Sequence, residues 1–483
     1  MGEILINNTI LPKRKNIENL MAVVNALTIN SALIGCAIFI KDYPFQKWVF
    51  LFSILSVIQL VINIVTIRKL EGKLFSLNIL FVIFSFITHL GLVVIYGFNI
   101  NVDLPWNPFI TISTKMFKDA SFFSLCSHLF LIIGMSFILM NSKTKNLVST
   151  KPLEDENNQL FLTRNVGAIL FLLGLFPMLY IDINKIILYV NGNYLDTFQL
   201  NIPSFFYIIA SFSNIGVIML LIGNKSDKRK VLLLLGLATI YKGALMFTGG
   251  RGEPILYLLT LYFVYFNFLR IDKIKSYKIP FYLLLIYMVG FLTTFISQTR
   301  MMSINDVSTF MEVFKSTFID FSPFSVIAEF GITIITLGIS IEFFSFNNDF
   351  QYGLNYFLSL LNMFPNVGGI LDFTIPKTIY VYNYPAHLRS FLGGSYLGEA
   401  FYSFGYFGMV FIAFIGMSIS YISLKLQELF LKQRYIQLSI LLILFPNLLW
   451  WTRAYFVDMV REFTWVSLCT VILTILFKRN NYK

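Results

Sequence analysis

The chain has 483 residues, 57% of them hydrophobic and 13% charged, with a formal net charge of +12. Soluble domains carry about 25% charged residues, so a water-soluble globular protein is excluded. Open sheets are excluded too, because lipid cannot satisfy the backbone groups along their edges.

What remains is an all-α polytopic membrane protein. Apolar runs of roughly 20 residues are long enough to cross the hydrocarbon layer as helices. About 12 such transmembrane helices are predicted, within a range of about 10–14. In chain order they fall at 21–40, 48–67, 74–96, 121–140, 165–181, 202–222, 231–247, 255–269, 279–296, 405–424, 437–451 and 463–477. Residues 1–20 are polar and basic, and no cleavable signal peptide is expected behind them. No internal repeat or low-complexity linker divides the chain, so residues 1–483 read as a single membrane domain.

Orientation follows from Lys and Arg. With Lys13, Arg14 and Lys15 in the cytoplasm, the inside segments carry twice as many basic residues as the outside ones. Short loops such as NKSDKRK and RIDKIKSYK hold that bias. Both termini are therefore expected in the cytoplasm, and 297–404 becomes a large extracytoplasmic loop. Its stretches 323–346 and 352–371 are apolar enough to touch the bilayer, as interfacial helices, re-entrant segments or a further pair of spans. The excess positive charge belongs to this topology and does not suggest nucleic-acid binding.

Chemistry-bearing residues are sparse. Cys36, Cys126 and Cys469 lie inside predicted spans with no metal or disulfide spacing. His89 and His128 also lie in spans and read as packed polar residues; three scattered histidines make no zinc site. No metal or cofactor is expected. The outward face carries no Asp-x-Asp pair, and no Gly-rich Lys-Ser/Thr loop suggests ATP. The one tight acidic cluster, Glu154, Asp155 and Glu156, reads as a solvated cytoplasmic loop.

Arginine is distributed differently. Arg251, Arg300, Arg389, Arg453 and Arg461 all fall on the expected outward face, against the inside preference for basic residues. Each alone reads as a snorkelling side chain at a span end. Together they suggest an anion site, since guanidinium forks bind phosphate bidentately and stay charged. Arg251 sits in TGGRGEP, a short turn between two spans, and Arg453 and Arg461 share the segment WTRAYFVDMVREF. Displacement by a hydroxyl at such an anion site would also need a base to take its proton. His387, Glu399, Glu253, Glu329, Glu342 and Asp458 are available on this face. His387 and Glu399 stand out because they bracket Arg389 and the glycine run 393–398, although Glu399 also reads as a first-turn carboxylate favouring a helix dipole.

The run GGSYLGEAFYSFGYFG at 393–408, with GGRGEP and the QTR at 298–300, resembles the Wzy-type O-antigen and capsule repeat-unit polymerases. The chain differs from them in having Ser403 where Asn is expected before Phe-Gly. The resemblance implies a GT-C-like, metal-independent glycosyltransferase of the bacterial plasma membrane. Its partners would be the lipid bilayer and an undecaprenyl-pyrophosphate-linked oligosaccharide, with a flippase and a chain-length regulator as further candidates. Carried over by position, Arg251, Arg300 and Arg389 would contact the pyrophosphate, and Glu399 or His387 would assist the acceptor hydroxyl. Two other readings remain open: a twelve-span transporter or flippase of lipid-linked oligosaccharides, and an O-antigen ligase-like enzyme. Against the transporter stands the gathering of polar residues at one face, with Lys242 the clear charge inside a span.

Overall fold

A computed structural model of the chain describes residues 3–102, 107–141, 156–192, 194–270, 279–299, 307–347, 350–364, 366, 369–384 and 392–481. Among the described residues there is no strand. The α-helices, in chain order, are α1 (Glu3–Phe39), α2 (Phe45–Glu71), α3 (Leu77–Gly97), α4 (Thr114–Asn141), α5 (Glu156–Asn191), α6 (Ser204–Gly223) and α7 (Lys228–Met246). They continue with α8 (Gly252–Val264), α9 (Ile279–Thr299), α10 (Val307–Asp320), α11 (Phe324–Gly331), α12 (Thr333–Asn347), α13 (Leu354–Leu361) and α14 (Ile375–Thr378). The last are α15 (Tyr396–Phe404), α16 (Gly408–Leu431), α17 (Tyr435–Leu442), α18 (Leu444–Trp451) and α19 (Phe456–Asn481).

Among the described residues, 10 helical stretches are long and apolar enough to cross a membrane, and the protein is a multi-pass membrane protein. That number stands at the lower end of the expected range. The run 231–247 is helical as α7, but Lys228, Arg229 and Lys230 in its first turn and Lys242 further along dilute its apolar surface. The run 437–451 is a shorter apolar stretch, Tyr435–Trp451. Conversely, Phe324–Phe346 reaches spanning length, as α11 and α12 joined at Ile332. Its partner in the sequence, 352–371, does not: it is reduced to the eight residues of α13 between Gly353, at φ 86°, and the turns that follow Asn362. The two apolar stretches therefore adopt different structures.

The chain divides into two compact units. The first comprises residues 1–147, 327–427 and 448–458. Here α3 is buried on nearly every side, with Phe81, Val82, Leu90, Leu92 and Val93 inaccessible. Two amides inside this core find acceptors: Asn30 donates to Asn63 at 3.1 Å, and Gln59 donates to the Leu125 carbonyl at 3.0 Å. Such bonds answer the cost of placing amides among apolar helices. Gly134 of α4 and Gly416 of α16 let these helices touch backbone to backbone. A Cβ at Gly134 would strike the Ala413 carbonyl, and one at Gly416 the Leu131 carbonyl. Small residues permit such approaches between membrane helices.

The second unit comprises residues 148–326, 428–447 and 459–483. Its centre is the α5–α6 hairpin, closed by Gly167 and Gly174 against α6 and by Gly216 and Gly223 against α5. Glu156, assigned above to a solvated loop, instead begins α5. Its carboxylate accepts from Lys225 Nζ at 2.8 Å, from the Tyr435 hydroxyl at 2.6 Å and from Gln433 at 3.3 Å. A carboxylate is favoured at a helix N-terminus by the dipole, and here the same oxygens tie α5 to α17. In this unit α9 packs on α10 through Phe291 and Phe295 against Phe314, with Phe291 also meeting Phe318 and Phe321.

Candidate functional site

In the first unit the glycine run leads into α15. Gly393 passes close to the Arg453 carbonyl, where a Cβ would sit at 3.2 Å, and a Cβ at Gly394 would overlap the Ala454 backbone. Both glycines are thus required by close approach of two chain segments. Ser395 is extended and caps α15, its hydroxyl accepting from the Gly398 amide at 3.2 Å. The same hydroxyl meets His89 Nε2 at 2.7 Å. His89 Nδ1 lies 2.9 Å from the Ser85 carbonyl, which can only accept. Nδ1 therefore carries the proton, and the Ser395 hydroxyl donates to Nε2. Next along the chain, the Tyr396 hydroxyl pairs with Ser85 Oγ at 2.6 Å, which also contacts His128 Nε2 at 3.0 Å. The start of α15 is in this way fixed against the middle of α3. His89 and His128 are both fully buried, in keeping with the packed polar role expected for them.

Glu399 lies one turn further and is 1% exposed. The Trp451 indole N–H donates to its Oε2 at 2.6 Å, and the Phe456 amide to its Oε1 at 3.0 Å. Tyr396 and Phe456 stack around Trp451, with ring centroids at 5.9 and 5.3 Å. Both carboxylate oxygens therefore hold donors inside an aromatic enclosure. Arg453, two residues past Trp451, is half-buried and places its guanidinium 5.2 Å from the Phe330 ring centre. Outside the spans, burial pushes the Tyr380 and Tyr384 hydroxyls well above the ordinary phenol range. Tyr384 pairs with Ser340 Oγ, which joins α12 to this region.

In the second unit the turn TGGRGEP enters α8. Gly249 has φ 88°, and a Cβ there would meet the Tyr194 ring at 2.6 Å. Arg251 is the residue before the first turn of α8 and is buried. Its guanidinium donates through Nη1 to the Thr293 carbonyl and through Nη2 to Ser297 Oγ at 3.1 Å, both on α9. The α8 N-terminus already carries partial positive charge. A guanidinium held beside it concentrates positive potential on this turn, which suits an anion.

Close by, the Glu253 side chain is 70% exposed, with Oε1 3.9 Å from Lys242 Nζ. The Lys242 side chain is 6% exposed, with its ammonium 5.1 Å from the Tyr257 ring centre and 5.9 Å from that of Tyr241. The Tyr241 hydroxyl donates to Asp182 Oδ2 at 2.6 Å, and Asn447 donates to Glu462 Oε2 at 3.1 Å. Asp182 and Glu462 both lie within electrostatic reach of Lys242 and Glu253. The sequence marked Lys242 as a charge inside a span. It could not show Asp182, brought to it from α5. Arg461, on α19, is half-buried.

His387, Arg389 and Arg300 lie outside the described residues. Among the described residues, no group of three or more His, Cys, Asp or Glu side chains gathers as a metal site would, and all three cysteines are free thiols.

A family model described as O-antigen polysaccharide polymerase Wzy matches residues 26–483. No curated protein and no solved structure matches the chain. With nearly its whole length matched and its multi-pass helical architecture in agreement, the chain belongs to the Wzy family of O-antigen polysaccharide polymerases, membrane proteins of polysaccharide biosynthesis.

Proposed function

We propose that this polymerase transfers a growing glycan from undecaprenyl pyrophosphate onto a lipid-linked oligosaccharide repeat unit at the outer face of the bacterial plasma membrane, without a metal ion. Family membership supports the class of reaction. The outward side rests on the twelve-span reading of Lys and Arg, in which α7 crosses, both termini are cytoplasmic and the 248–254 turn is outside. An acceptor hydroxyl forms the new bond to the anomeric carbon. The bond from that carbon to the diphosphate breaks, and the diphosphate leaves with the electron pair. Its growing charge needs fixed positive groups.

The observation that carries this reading is Arg251, anchored by the Thr293 carbonyl and the Ser297 hydroxyl at the N-terminus of α8. An arginine so held costs no reorganisation when charge develops beside it. Arg300, Arg389, Arg453 and Arg461 are proposed as further pyrophosphate contacts, on the residue chemistry set out above. A flippase and a chain-length regulator are proposed as its partners in the cell.

The test uses the full chain in lipid nanodiscs with lipid-linked repeat units as sole substrate. The expected product is a ladder of lengthening polymer. Arg251→Ala should lower its rate by about 10²–10³-fold, the scale of one lost electrostatic contact in a transition state, while the protein still inserts. Unchanged chain length in Arg251→Ala would sink the site. Product appearing only after a different acceptor is added would favour the ligase.

A further inference from the structure

We propose that Glu253 is the general base that takes the proton from the acceptor hydroxyl, with Lys242 as its positioning partner. This rests on the polymerase reading and adds the group that reading leaves unassigned. Displacement at an anomeric carbon releases one proton from the attacking hydroxyl, and an outward-facing carboxylate is a chemically sufficient acceptor for it.

The carboxylates described around the two candidate sites differ in what they can reach. Glu399 is 1% exposed, and both its oxygens accept hydrogen bonds, from Trp451 and Phe456. Asp182 accepts from Tyr241, and Glu462 from Asn447. Glu253 has a side chain that is 70% exposed, two residues from the anchored Arg251. A candidate base and a candidate anion contact are thus presented by one turn of chain.

Lys242 supplies the second observation. A buried ammonium is costly unless it is paired. Its partner is Glu253, at 3.9 Å. Tyr257 and Tyr241 flank the ammonium with their rings, and the carboxyls of Asp182 and Glu462 approach from α5 and α19, with Lys185 also close to Asp182. The ammonium lies 3.9 Å from Glu253 Oε1 and so biases where the carboxylate rests. In the step itself, the hydroxyl proton passes to Glu253 as the new C–O bond forms. The diphosphate departs unprotonated, and Glu253 returns its proton to water through its exposed side.

The experiment compares wild type, Glu253→Gln, Glu253→Asp and Lys242→Gln in nanodiscs, with Glu312→Gln as an exposed control. Polymer formation by wild type establishes the reaction first; its absence would overturn the polymerase reading and the inference together. Given polymer, Glu253→Gln should fall by about 10²–10⁴-fold and lose the decline in rate seen when wild type is acidified. Glu253→Asp should recover part of the rate and keep that decline. Lys242→Gln should lower kcat while leaving KM for the lipid-linked donor unchanged, a split that a purely structural lysine would not give. Binding of the lipid-linked donor, measured separately, should survive in Glu253→Gln and reports that the variant is folded. Wild-type rate and an intact acid limb in Glu253→Gln would overturn the inference while leaving the polymerase reading in place.

Discussion

Trp451 and Glu399 are joined by a 2.6 Å hydrogen bond from the indole N–H to a carboxylate that is 1% exposed. The bond binds the start of the 452–455 turn to α15 across 52 positions of chain. A buried acceptor stripped of its donor bears the full cost of its own desolvation. Trp451→Phe keeps an aromatic ring in place but removes the donor. It should destabilise the first unit by about 3 kcal/mol, read as a lower unfolding temperature in detergent. An unchanged temperature would show that this pair is not what holds α15.

Ser395 has two tasks, capping α15 through the Gly398 amide and donating to His89. Ser395→Ala removes both and should cost about 1–2 kcal/mol for the cap alone. Ser395→Thr keeps the hydroxyl and should cost less. Equal losses in the two variants, measured by thermal unfolding, would rule out the hydroxyl as the cause.

Two glycines in the first unit provide a matched comparison. Gly134→Ala drives a Cβ into the Ala413 carbonyl, whereas a Cβ at Gly35 meets nothing within 4 Å. Overpacking costs about 1–3 kcal/mol, so Gly134→Ala should unfold earlier than wild type. Gly35→Ala should be neutral or stabilising by about 0.5–1 kcal/mol, because alanine favours the helix. The reverse order in a heating scan would contradict the close crossing of α4 and α16.

Burial is the main reason that the Tyr380 and Tyr384 hydroxyls resist ionisation; neighbouring tyrosines, with Glu399 near Tyr380, add to it, and hydrogen bonding to Ser340 partly opposes it. A group whose folded pKa is raised keeps its contribution below its unfolded value, about 10 for a phenol, and loses it as pH rises further. The first unit should therefore hold its stability up to that pH and weaken above it. The double variant Tyr380→Phe with Tyr384→Phe should show a flatter alkaline decline in chemical unfolding; an identical decline would assign the effect to other groups.

The helical membrane architecture was legible because long apolar runs admit few structures in lipid. Lys242 was visible for the same reason, as a charge where none is cheap. What surrounds it was hidden: Asp182 and Glu462 reach it from α5 and α19, and pairing between distant helices leaves no local pattern. The run Gly393–Gly394 was conspicuous in sequence as the glycine run beside Arg389. In the structure those glycines give way to the 453–454 backbone. Glu156 misled because three acids in succession resemble a solvated loop until Lys225, Gln433 and Tyr435 come within reach.

Gly393 and Gly394 have a mechanical consequence. With no side chains between them and the Arg453–Ala454 backbone, the segment leading into α15 and the 452–455 turn meet backbone to backbone. A push on the turn cannot be absorbed by side-chain rotation. The same segment is tied to α3 by the hydrogen bond between Ser395 and His89, so a shift of the turn has to be met by backbone that is itself anchored.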